Sequence, residues 1–92
     1  MKFVMLGKYS LKGLEGASAE RTKKANALVT KAGGRIDAIY ALLGEYDLVF
    51  IVDFPGVPEA MKASIGITKM TGIGFQTMPA VSVDEFDRLI RK

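Results

Sequence analysis

Four consecutive residues, Gly44-Glu45-Tyr46-Asp47, set two carboxylates and a phenol directly ahead of the apolar run Leu48 to Val52. At the mouth of a pocket between sheet and helices, the Asp47 carboxylate and the hydroxyl of Tyr46 or Tyr40 have the chemistry to orient a small polar ligand. An Asp47 whose pKa was raised by burial would have that of a general acid or base. The same run also makes a turn, in which Gly44 supplies a positive φ and Asp47 accepts backbone N–H bonds at the hairpin or from a neighbouring loop. Lys8 and Tyr9 end a strand beside it, and Lys8 either balances Asp47 or stays solvated. The candidate ligand-binding residues are therefore Tyr46, Asp47, Tyr40 and Lys8, with no residue assigned to catalysis. Gln76 is a lone polar side chain facing solvent, a partner or a pocket. Gly7 reads as close packing or as room for a ligand. Met5, Met61, Met70 and Met78 read as core filler.

The elements that must hold these residues follow from pattern. Phe3 to Tyr9 reads as a strand, and Ser10 to Gly16, with two Gly, as a loop. Ser18 caps a helix whose stripe Ala25, Leu28, Val29, Ala32 falls at i, i+3, i+4, i+7, with Arg21, Lys23, Lys24 and Lys31 largely off it. Gly33-Gly34 stops that helix. Arg35 to Leu43 and Tyr46 to Phe54 read as two strands joined tightly at Gly44-Glu45 into an antiparallel hairpin. Pro58 sits in the first turn of a second helix, ended by Gly72, with Glu59, Lys62, Gly66 and Lys69 on its wet side. Gly66 costs this helix about 1 kcal/mol relative to Ala, and close packing against a neighbour explains keeping it. Ile73 to Val81 is a fourth strand, placed at or near an edge because Pro79 lacks a ladder donor. Ser82 caps a last helix with the apolar stripe Val83, Phe86, Leu89, Ile90, acidic at its start and basic (Arg88, Arg91, Lys92) at its end. The order βαββαβ plus a C-terminal helix is the ferredoxin-like α+β arrangement, with two helices on one face of a four-stranded antiparallel sheet.

Composition narrows the chemistry. The 92 residues, read as one domain, contain no Cys and no His. That excludes disulfides, thiolate chemistry, His or Cys metal sites and imidazole proton transfer. No metal or cofactor is expected. No secretory leader or membrane-spanning run is read, so a cytoplasmic protein without membrane contact is expected. The net charge of +3 comes with lysines dispersed along the chain (Lys12, Lys23, Lys24, Lys31, Lys62, Lys69), the pattern of solvated helix faces.

Both faces of the sheet read as apolar. Leu48, Phe50, Val52 and Phe54 alternate with Val49 and Ile51; Ile36, Ala38, Tyr40 and Leu42 alternate with Ile39, Ala41 and Leu43. A sheet with helices on one side ordinarily alternates apolar with polar. A bare apolar face would exceed the few hundred Å² a monomer tolerates, so a second copy packed sheet to sheet is expected to cover it, as a homodimer or larger homo-oligomer. The alternative cover is the chain's own C-terminal helix.

Tyr9-Ser10, Gly13, Arg21, Gly33-Gly34, Tyr40, Gly44-Glu45-Tyr46-Asp47 and Pro55 carry a resemblance, over nearly the whole length, to the GYD-domain family, small bacterial proteins of dimeric α/β-barrel type. Glu45 stands as an extra residue between Gly and Tyr, and Ser10 stands where Thr is expected. The resemblance implies the fold and a dimeric assembly more than an activity. The segment from the second to the fourth strand, especially Gly44 to Leu48, is also similar to the effector-binding domain of leucine-responsive regulators, which implies a stand-alone ligand sensor.

The expected function is binding of a small polar metabolite in a homodimeric barrel. One alternative is a cofactor-independent enzyme of the same fold, monooxygenase- or isomerase-like, using Tyr46, Tyr40, Asp47 and Lys8. The other is an assembly module that binds no small molecule. RNA-recognition domains share this element order but start the third strand with a basic pattern; here Asp47 stands where phosphate would be repelled, so no nucleic-acid partner is expected.

Overall fold

The structure, a computed structural model, describes residues 1–91; Lys92, expected at the end of the last helix, lies outside them. Strand β1 (Lys2–Lys8) leads into α1 (Leu11–Glu15) and α2 (Ala19–Lys31). Then come β2 (Arg35–Ala41), β3 (Leu48–Asp53), α3 (Val57–Thr71), β4 (Gly74–Ala80) and α4 (Val83–Ile90). The strands form one antiparallel sheet in the order β2-β3-β1-β4. Ala25 and Val29 of α2 and Ala60, Ala63 and Ile67 of α3 bury against Phe3, Met5, Phe50 and Val52 on one face of that sheet. This is the ferredoxin-like α+β fold expected from the element order. Pro79 lies in an edge strand, where its missing N–H costs no ladder bond.

Glycines shape the helix layer at two points. Gly33 (φ +85°) follows the last turn of α2, its N–H donating to Thr30 O (2.9 Å) while the Gly34 N–H donates to Val29 O (2.9 Å). This paired closure satisfies carbonyls that the helix end would leave free. Gly66 lies against Leu28 rather than facing solvent: a Cβ there would meet Leu28 Cδ2 at 3.1 Å. It brings α3 close to α2, the reason anticipated for a helix-weakening residue.

Two local expectations are corrected. Ser10 to Gly16 is not a loop throughout but contains α1. Ser10 caps it, its Oγ accepting from the Gly13 N–H (2.9 Å) and donating to Gly72 O (3.2 Å) at the end of α3. Leu11 and Leu14 point outward and only Gly13 is buried, so five residues carry no apolar period to read. The β2–β3 connection runs from Leu42 to Asp47, longer than the two-residue turn expected.

A register shift in β2 changes which residues share a face. Ile36 pairs with Val52, but Ala38 pairs with Ile51, leaving Asp37 as a bulge. The extra residue reverses the alternation. Ile36 and Ile39 therefore both join the helix-side core, and Ala38 and Tyr40 take the opposite face, instead of Ile36 alternating unbroken with Ile39.

Among the described residues no layer lies over that opposite face. By register it carries Val4 and Leu6 from β1, Val49 and Ile51 from β3, Ala38 and Tyr40 from β2, and Met78 and Ala80 from β4. Helix α4 buries none of its residues, and its apolar stripe lies open, from Phe86 at 51% to Val83 at 73% exposed. The chain's own last helix therefore leaves its stripe in solvent instead of seating it on this face.

One end of the open face is charged. Lys2 Nζ bridges Asp37 and Asp53 (2.9 Å to Asp53), and Arg35 reaches Asp37 (2.9 Å) and Asp53 (3.2 Å). The Lys2 hydrogen bond, joined by that of Arg35, lowers the Asp37 carboxyl to about 2. In the unfolded chain Asp titrates at about 3.9. The stabilisation is thus complete above pH about 4 and disappears as pH falls through about 2. Thermal melts of the parent and of Asp37→Asn should converge across that interval, the parent being the more stable only on the high-pH side; a constant offset down to pH 2 would contradict this assignment.

Candidate functional site

The helix-side core is incomplete at the end of the sheet where β1 leaves and β3 and β4 begin. There a cavity of about 80 Å³ lies between α2 and the strands. One water needs about 10–15 Å³ by that measure, so the space holds about five to eight non-hydrogen atoms. Ile39, Leu48, Phe50 and Phe75 supply apolar wall, and Tyr9, Arg21, Thr22 and Thr71 supply polar groups. Phe50 and Phe75 meet edge to face with centroids 5.3 Å apart. Phe75 can lie there because of Gly7: a Cβ on Gly7 would stand 2.7 Å from Phe75 Cε1. The close-packing reading of Gly7 thus describes its contact, and the contact shapes the cavity wall.

Arg21 is placed by three local devices. Ser18, the cap of α2, accepts its backbone N–H (3.0 Å), which fixes the first turn. Helix α1 folds back so that Gly13 O accepts from Arg21 Nη1 (2.5 Å). Gly16 leaves room, since a Cβ there would lie 2.8 Å from the same nitrogen. The guanidinium carbon rests 6.0 Å from the centre of the Tyr9 ring. A guanidinium has five N–H donors, and this contact occupies one nitrogen; the group suits a carboxylate or phosphate. Thr71, nearly buried, is satisfied within the protein, donating to Ile67 O (2.7 Å) and accepting from the Ile73 N–H (3.1 Å).

Asp47 holds Tyr9. Its Oδ2 accepts the Tyr9 N–H (2.8 Å), its own N–H donates to Gly7 O (2.8 Å), and its carbonyl accepts from the Leu42 N–H (2.8 Å). Gly44, at φ +150°, bends the connection ahead of it. The backbone bonding described for the turn is therefore present. Tyr40 and Tyr46 do not reach the cavity mouth: they lie on the sheet face away from the helices, where Tyr46 Oη donates to Gln76 Oε1 (3.0 Å). Gln76 is on the open face because it pairs with Leu6. Lys8 is exposed at the end of β1, and among the described residues it forms no ion pair with Asp47. Also among the described residues, no three Asp or Glu side chains come together as metal ligands.

Arg21 and Tyr9 are the polar groups that reading by spacing passed over. Arg21 looked like one more solvated cation off the α2 stripe. The available signal was the set Tyr9, Gly13 and Arg21, which the structure joins through one carbonyl and one ring face.

An antiparallel ferredoxin-like sheet with a cavity on its helix side and an uncovered apolar face behind defines the class. The GYD domain family matches residues 3–90 of the chain, and the protein belongs to that family. No curated protein matches it. Among the described residues no helix is long and apolar enough to cross a membrane.

Proposed function

We propose that this GYD domain is a homodimeric binding protein for a small metabolite held between α2 and the sheet. The cavity carries the reading: it joins four large apolar side chains to the Arg21 guanidinium and the Tyr9 ring. Asp47 serves it by fixing Tyr9. Tyr40, Tyr46 and Lys8 have their place in the barrel that two subunits enclose, or at its rim.

The sheet face and the open stripe of α4 support the dimer together, where the sheet face alone does not. Four strands of about seven residues present a face of roughly 400 Å². Two such faces fall short of the roughly 1,200 Å² buried by a stable interface. The stripe of α4 supplies the remainder if each subunit lays its last helix against its partner. A two-fold arrangement hides both surfaces of both chains at once. The charged cluster at the rim, two cations with two carboxylates, adds no net repulsion.

Thermal melting against a metabolite panel that includes amino acids tests the binding. A ligand at one hundred times its Kd stabilises by about 2.7 kcal/mol, roughly 10 °C or more for a domain of this size. Leu48→Phe, which adds bulk to the lining, should remove that response. A flat panel with the dimer intact would instead favour the assembly module.

A further inference from the structure

The lysines that look scattered along the sequence converge at the cavity mouth. Lys12 comes from α1, Lys24 from α2 and Lys69 from α3, and with Arg21 they line a groove of about 440 Å³. Glu20 is the one carboxylate among its lining residues. Among the described residues none of these four cations forms an ion pair; the described salt bridges all belong to the Lys2–Arg35 cluster. The groove and the inner cavity share Ser18, Arg21 and Thr71, so they are two compartments of one depression. The outer compartment is basic and open. The inner one is small and largely hydrocarbon.

We infer that the ligand is a small anion with a short apolar tail, its carboxylate or phosphate head among Lys12, Arg21, Lys24 and Lys69 and its tail against Leu48, Phe50 and Phe75. This rests on the cavity being the binding site. Arg21 stands at the junction, where a guanidinium anchored on Gly13 O can still present donors to an anion. A neutral molecule would leave the convergent cations unanswered. A bare anion would leave the apolar compartment unfilled. The cavity limits the tail to about five to eight atoms.

Isothermal titration of the full chain with hexanoate, hexyl phosphate, hexan-1-ol, hexylamine and inorganic phosphate separates these contributions. Hexanoate or hexyl phosphate should bind at least tenfold more tightly than hexan-1-ol, and hexylamine more weakly still. Inorganic phosphate should be at least tenfold weaker than hexyl phosphate. Raising salt from about 20 mM to about 500 mM, which shortens the screening length several-fold, should weaken the anions and spare the alcohol. The exposed double variant Lys24→Gln, Lys69→Gln should cost the anionic probes about five- to tenfold and leave hexan-1-ol unchanged. The better of the two heads identifies the ligand as a carboxylic acid or a phosphate ester. Hexan-1-ol binding as tightly as hexanoate would overturn the anionic assignment while leaving the cavity as a binding site. Inorganic phosphate binding as tightly as hexyl phosphate would overturn the tail. Silence from all five probes would overturn both this inference and the proposed site.

Discussion

Replacing Ile51 by Glu is expected to leave a folded monomer. Ile51 lies on β3, paired to Val4 and Ala38, on the face away from the helices. In an isolated subunit the new carboxylate points to water and leaves Phe3, Met5, Phe50 and Val52 packed as before. In the proposed dimer it would be buried without a partner, which costs several kcal/mol. A loss of about 4 kcal/mol raises the dimer Kd about a thousandfold. Sedimentation should show the smaller species while circular dichroism keeps the parent spectrum. Phe86→Asp on the exposed stripe of α4 should weaken the dimer as well, because that residue is left half exposed within its own chain. A fully dimeric Ile51→Glu would mean that the sheet face is not the interface.

Gly34→Ala should destabilise the fold more than an added methyl ordinarily does. A Cβ at Gly34 would stand 2.6 Å from the Phe54 ring and 2.7 Å from the Asp53 carbonyl oxygen. Phe54 is buried and packs against Phe3 at 5.8 Å, so its ring has little room to move, and the carbonyl belongs to β3. Overpacking of this kind costs roughly 3 kcal/mol. For a domain of this length that is a melting temperature lower by roughly 12–24 °C. Gly74→Ala is the control: nothing lies within 4 Å of its Cβ position, and its melting temperature should barely change. Equal shifts for the two variants would show that crowding is not the reason for Gly34.

How much could be read beforehand depended on the range of the interaction. Gly33-Gly34 as a helix stop, Pro79 as an edge residue and Gly66 as a packing residue each follow from one residue's backbone freedom or bulk, and each stands so in the structure. Apolar residues on both faces of β3 were legible because that strand is not interrupted. The bulge at Asp37 was not: it inserts a residue without Gly or Pro to mark it, and the faces beyond it exchange. Helix α1 was hidden because it is held by its Ser10 cap and by Gly72 rather than by an apolar stripe. The cavity depends on side chains from α2, α3 and all four strand ends, brought together only by the fold. For the same reason the basic groove looked like scattered surface charge. Asp47 makes the backbone bonds read for it in the turn, while Tyr40 and Tyr46 lie across the sheet from the cavity.

The proposal that a second copy covers the open sheet face is tested most directly by sedimentation velocity of the unmodified protein at micromolar concentration. The expected result is a single species at twice the chain mass of 10.0 kDa, or a higher multiple. A well-folded species at 10.0 kDa would contradict it.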